Sequence, residues 1–378
     1  MIESLAKLAL LLTFVPGMSC GKPEVAVEPA KVDIPSVAEQ EAPAESKRVL
    51  VVINKASQDS IAVGAYYVQK RSIPKANVVM IECATTDTIT VDEYKAKVQP
   101  QVQSGIKASK NAIDFIVTTK GVPIRLRDDG GWSLDGHLAA MNLGLTPMSG
   151  LNDQNADAQI SKSLNPYFKS TERFSSKKVK GMYLVCRLDG YTVEDCKKLV
   201  DNSLAAKPDK GPFFFNGGAG KDGGGYKEMQ DALKNAEAQL KAKGFDASYE
   251  AAKFRAPGYE LMGYASWGSN DGTFSLDEYR KLRFKPGALV ETYVSTSART
   301  FKPTTGGQSM IADLIAQGVT GVKGYVSEPY TFALAYPDIL FDRYLGGFNL
   351  AESFYAASLL TSWKDLVIGD PLCCPYAK

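Results

Sequence analysis

From residue 49 onward the chain repeatedly sets a short, β-branched apolar run against a stretch with helical period. VLVVIN (49–54) precedes SIAVGAYYVQKR, NVVMIE (77–82) precedes TVDEYKAKVQPQVQSGIK, and GPFFFN (211–216) precedes YKEMQDALKNAEAQLKAKG. Apolar runs of this length without polar alternation fit strands buried on both faces. Strands that alternate with helices argue for parallel βαβ units, because a parallel pair needs a long crossover. AIDFIVTTKGVP, KGMYLVCRLDG (180–190), ELMGYA, ALVETYV and GVTGVKGYV read as further strands. TVEDCKKLVDNSLA reads as a helix capped by Thr192, with Glu194 and Asp195 in its first turn. Gly244 closes the helix before it. The expected fold class is α/β: a mostly parallel sheet with helices on both faces. Residues 127–180 read as a long excursion from that scaffold.

The 378 residues are 44% hydrophobic and 23% charged, enough for one large domain or two intimate ones. The α/β domain is expected over 49–378, with possible subdomains 49–208 and 209–378. A formal net charge of +2 with no long basic block gives nucleic acid no footing as a partner. His137 is the only histidine, which excludes a His pair or a multi-His zinc site. No metal site and no cofactor is implied.

The first twenty residues stand apart. MIESLAK is a weakly charged lead, LALLLTFV is an apolar stretch too short for a mature membrane span, and PGMSC sets small residues before Cys20. This resembles the lipobox of bacterial lipoproteins, which implies lipidation of Cys20 and a signal peptide over 1–20. Gly21 follows rather than Asp, and by resemblance to the Gram-negative sorting rule the anchor lies in the outer membrane. Residues 21–48 are rich in Pro, Ala, Glu and Val, have no aromatic residue, and read as a disordered linker. The remaining five cysteines show no framework spacing and read as buried free thiols.

Three motifs fail on inspection. FFFNGGAGKDGGGY lacks the first glycine and the Ser/Thr of a Walker A loop, having Phe215 and Asp222 instead, and reads as a flexible βα loop. DGTFSLDEY has Gly272 and Glu278 at EF-hand spacing, but Trp267 falls at the first ligand position. Cys186 lies inside an apolar run, so a Cys186–His137 dyad has little to recommend it.

VINKASQDSIAVGAYYVQKRSIPKANVV, FIVTTKGVPIRL, SLDGHLAAMN, YLVCRLDG and GYASWGSNDG, in that order, resemble an uncharacterised family of exported bacterial proteins associated with exosortase-type sorting. The resemblance implies an extracytoplasmic setting and no established activity. Residues 260–375, ending in GFNLAESFYAA and VIGDPL, also resemble the catalytic subdomain of gingipain-type cysteine peptidases. That implies a caspase-like three-layer core. In such peptidases one strand ends in the His base and the next in the Cys nucleophile, with the oxyanion held by backbone N–H groups. Here Tyr264 or Trp267 stands in place of the His, and Ser295, Thr296 or Ser297 in place of the Cys.

The catalytic pair is thus missing, while the strand-end position remains the usual place for a ligand in an open parallel sheet. Trp267, Ser269, Asn270 and Asp271 are expected to form one wall of a cleft, with Ser297 and Arg299 beside them and Arg187 and Asp189 on another strand end. Trp267 offers stacking on a sugar or peptide. The bland alternative makes the same residues turn caps and a local ion pair. The expected function is binding or scaffolding at the cell envelope, with an unidentified small-molecule, peptide or glycan ligand. The alternative is a hydrolase using Ser297 with Asp271. Paired carboxylates such as Asp189 and Asp271 acting on polysaccharide are a third possibility.

Overall fold

The computed structural model describes residues 34, 37, 38, 40–127, 130–145 and 156–377. Ile34–Lys378 forms one compact unit. Among the described residues there are twelve strands: β1 Val49–Asn54, β2 Val78–Ile81, β3 Thr88–Ile89, β4 Phe115–Thr119, β5 Arg125–Leu126 and β6 Leu184–Leu188, then β7 Phe213–Asn216, β8 Ala247–Glu250, β9 Glu260–Ser266, β10 Arg283–Thr292, β11 Gly321–Tyr325 and β12 Asp365–Gly369. Ten of them make one sheet in the order β2-β1-β4-β6-β12-β11-β10-β9-β7-β8, while β3 and β5 pair separately. β1, β4, β6, β7 and β11 are buried throughout, as their unbroken apolar runs require, and β8 at one edge is only half-buried.

Neighbouring strands pair in parallel on both sides of β12. β12 runs antiparallel to β11 and meets β6 where Ile368 lies opposite Arg187. The carboxyl ends of the two halves gather on one edge. Thr300, beyond β10, donates to Asp87, beyond β2, at 2.6 Å. Helices 58–71, 193–205 and 311–316 contact one another over one part of the sheet, and helices 224–242, 337–345 and 350–356 form a second group. The sheet is thus a mixed but mostly parallel α/β core in three layers.

Capping follows the expected chemistry. The Thr192 hydroxyl accepts from Asp195 N while the Asp195 carboxylate accepts from Thr192 N, a reciprocal capping box. Pro100 does not break its helix. A π-helical turn over Tyr94–Val98 precedes it, and Pro100 falls in the first turn of the segment Gln99–Ala108.

The linker expectation needs correction at its carboxyl end. Val37 bridges to Pro74, Ala44–Lys47 forms a helical turn, and Ala42 and Ser46 are buried. The Ser46 hydroxyl donates to Arg71 O at 2.5 Å and Arg48 pairs with Asp114 at 2.7 Å. Composition hid this, since a few polar contacts to distant elements hold the segment and no apolar period does. Cys20 and residues 21–33 lie outside the described residues.

Candidate functional site

β9 and β10 are adjacent and parallel, with Val290 opposite Tyr264 and Thr292 opposite Ser266. Their carboxyl ends therefore lie side by side. β9 leaves the sheet through Trp267 and turns at Gly268, whose φ of +48° is left-handed. A Cβ there would stand 2.7 Å from Val294 Cγ2, so the corner requires glycine on two counts. The turn delivers Asn270 to Tyr293 O at 2.6 Å, and Asn270 Oδ1 accepts from Gln308 at 2.9 Å. Gln308 Oε1 in turn accepts from Thr296 N and Oγ1. The two strand-end loops are in this way laced into one rigid floor.

Over that floor lies a cleft of about 270 Å³, lined by Trp267, Asn270, Tyr293, Ser295, Gln308 and residues from two further loops. Lys221 and Tyr226 come from the glycine-rich segment after β7, and Glu328, Pro329 and Tyr330 from the segment after β11. The Lys221 ammonium stands 4.7 Å from the Tyr226 ring centre and 4.9 Å from that of Trp267. The glycine-rich segment is accordingly a cleft wall.

The sequence-predicted residues divide. Trp267 and Asn270 line the cleft, but Trp267 is 1% exposed and donates Nε1–H to Gln230 at 2.8 Å. It supports the floor and offers no face for stacking, contrary to expectation. Ser269 is locked to Ser309 by reciprocal bonds. Asp271 is buried, its Oδ1 accepting from Thr273 N and Oγ1 in an Asx-type turn. Ser297 is fully buried, and its Oγ accepts from Tyr325 N at 3.3 Å. Arg299 ties its own loop together, donating to Thr296 O, Gln308 O and Gly306 O. The expected Ser297–Asp271 pair is therefore absent as a reactive unit: each side chain is enclosed and bonded within its own surroundings. Ser295, half-buried, is the cleft hydroxyl at the nucleophile corner.

Arg187 and Asp189 lie elsewhere. Arg187 is fully buried and grips Asp135 through Nε at 3.0 Å and Nη2 at 2.6 Å, and also donates to Val122 O and Pro123 O. The expected Arg187–Asp189 contact is only a longer 3.6 Å approach. Asp189, with Lys120 3.4 Å away, helps line a smaller cavity of about 140 Å³ between the ends of β1, β4 and β6. Burial pushes its carboxyl upward, against the pull of Lys120 and Arg187. Asp189 and Asp271 border no common cavity among those described, which leaves the paired-carboxylate reading without a site.

The thiols and the histidine are withdrawn from chemistry. Cys83, Cys186, Cys196 and Cys373 are buried and Cys374 is half-buried; all five are free. Burial pushes Cys186 well up, and holds His137 down at about 4. His137 packs against Tyr94 and Trp132 rather than a thiol.

Sequence reasoning passed over Lys221, Tyr226, Gln308, Glu328 and Tyr330. It also passed over Glu291 and Lys323, which sit opposite each other in β10 and β11 with no exposure. Their signal is a charge in the middle of an apolar strand run, ALVETYV and GVKGYV. Lys323 pairs with Asp365 at 3.2 Å and donates to Ala333 O and Ser358 Oγ. Glu291 Oε1 accepts from Tyr325 at 2.6 Å, its Oε2 has no partner among the described residues, and burial pushes the carboxyl up to about 8.

No family model matches the chain, and no curated protein does. Among solved structures, one described as "Structure of Protease" aligns at 13% identity and a TM-score of 0.48, covering 87% of this chain and 78% of that one.

Proposed function

We propose that this protein is a binding protein of the bacterial cell envelope, tethered by lipid at Cys20, that uses the cleft above β9 and β10 without hydrolysis. The observation that carries this reading is the company Ser295 keeps. A serine nucleophile needs a base within hydrogen-bond reach, held by a third group. Among the residues lining the cleft the bases on offer are Lys221, laid on two aromatic rings, and Glu328, whose Oε1 accepts from Tyr330 N at 2.9 Å. A carboxylate is a weak base for a serine hydroxyl, and the lone histidine is packed away beside Tyr94. The resemblance to gingipain-type peptidases supports the choice of cleft and not a reaction. The export signal and the anchor rest on the Cys20 motif and its outer-membrane sorting context.

The rival reading is a hydrolase acting through Ser295, favoured by the hydroxyl's place in the cleft. Incubation with denatured casein and with envelope polysaccharide, followed by mass spectrometry of the products, separates the two. The binding reading expects no product above the buffer control. Turnover that disappears in Ser295→Ala would overturn it.

A further inference from the structure

The cleft's rim carries more information than its floor. Tyr226 and Tyr330 are 50% and 42% exposed, two of the few large hydrophobic side chains open to solvent among the described residues. Each is backed by a second ring. Tyr226 leans on Trp267 at 5.5 Å, and Tyr330 stacks on Phe332 at 5.5 Å with the planes 11° apart. Tyr226 and Tyr330 thus line one cleft from segments far apart in sequence, each with a second ring behind it.

Tyr330 is held there at a conformational cost. Its φ of 63° and ψ of 161° lie in a region that glycine alone occupies freely. The Glu328 carboxylate, accepting from Tyr330 N, fixes the distortion. A large ring kept in a glycine conformation and left exposed is poorly explained by folding.

Between the rings the lining is polar and nearly balanced in charge, with Lys221 as its cation and Glu328 as its anion. The amides of Asn270 and Gln308 are oriented by protein bonds, and the Ser295 hydroxyl stands among them. Aromatic faces with fixed amides and hydroxyls suit a ligand having apolar ring faces and many hydroxyls. A peptide side chain would want an apolar subpocket, and Leu334 with Pro329 gives little of one. Resting on the binding reading above, we propose that the cleft takes a glycan chain, with Tyr226 and Tyr330 as its stacking platforms.

The test is calorimetric titration of the full chain with chitohexaose, cellohexaose and maltohexaose, and with penta-alanine as the peptide control. At least one oligosaccharide should bind saturably. Tyr330→Gly should weaken that binding at least tenfold while leaving the melting temperature unchanged or raised, because glycine relieves the backbone. Tyr226→Ala should weaken it similarly without touching the strained residue. Failure of all three oligosaccharides to bind, or binding indifferent to both variants, overturns the assignment. Binding of penta-alanine alone overturns the glycan class and leaves a binding protein standing. Ser295-dependent turnover would instead sink the underlying non-hydrolytic reading.

Discussion

Arg299 shows how a side chain's use depends on what it finds within reach. From the sequence it is a cation at a strand end, suited to an anionic ligand. In the fold its guanidinium is engaged by the carbonyls of Thr296, Gln308 and Gly306, and it shapes the loop from inside. Arg299→Gln should therefore lower stability by about 1–3 kcal/mol, the scale of lost hydrogen bonds to a charged group. Urea unfolding reads this directly. An unchanged midpoint together with lost ligand binding would return Arg299 to the cleft. The same logic separates Asp271, legible as a turn cap from its short side chain before Gly and Thr, from Arg187. The partner of Arg187, Asp135, lies 52 residues earlier, and no local pattern announces it.

At the scale of elements, apolar runs and helix caps were legible because they are local. β1, β4 and β7 lie where β-branched or aromatic runs lie, and Thr192 caps its helix through neighbours three residues away. β12 was not legible as a strand. DLVIG is short, begins with a charge, and owes its burial to β6 and β11, which are distant in sequence. β10 and β11 carry the buried Glu291 and Lys323, and the pH behaviour of Glu291 is a consequence of its burial. The folded Glu291 holds its proton up to about 8, well above the ordinary range of an unfolded glutamate. Between those values the unfolded state binds fewer protons, so this residue's contribution to stability is full at low pH and is lost as pH rises through about 8. Glu291→Gln should remove that decline, and its melting temperature should overtake the parent's by pH 9. Parallel curves for the two proteins from pH 5 to 9 would show that Glu291 is ionised throughout.

For the whole molecule, the parallel α/β plan followed from alternation, and the place of the cleft followed from the plan. Its lining did not. Tyr226, Trp267, Ser295 and Tyr330 come from the segments after four different strands, and only the sheet order brings them together. The proposed lipid tether is a separate matter and rests on the sequence around Cys20 alone. Cys20→Ser should move the protein from the membrane pellet to the soluble fraction, and a mutant that still sediments with membranes would refute lipid anchoring.

The central claim is that the strand-end cleft binds without an activated nucleophile. Intact-mass measurement after treatment with a fluorophosphonate probe tests it most directly. The account predicts the unmodified mass, because among the described residues no base is hydrogen-bonded to the Ser295 hydroxyl and Ser297 is enclosed in the core. A single stoichiometric adduct mapping to Ser295 would contradict it and make the cleft an active site.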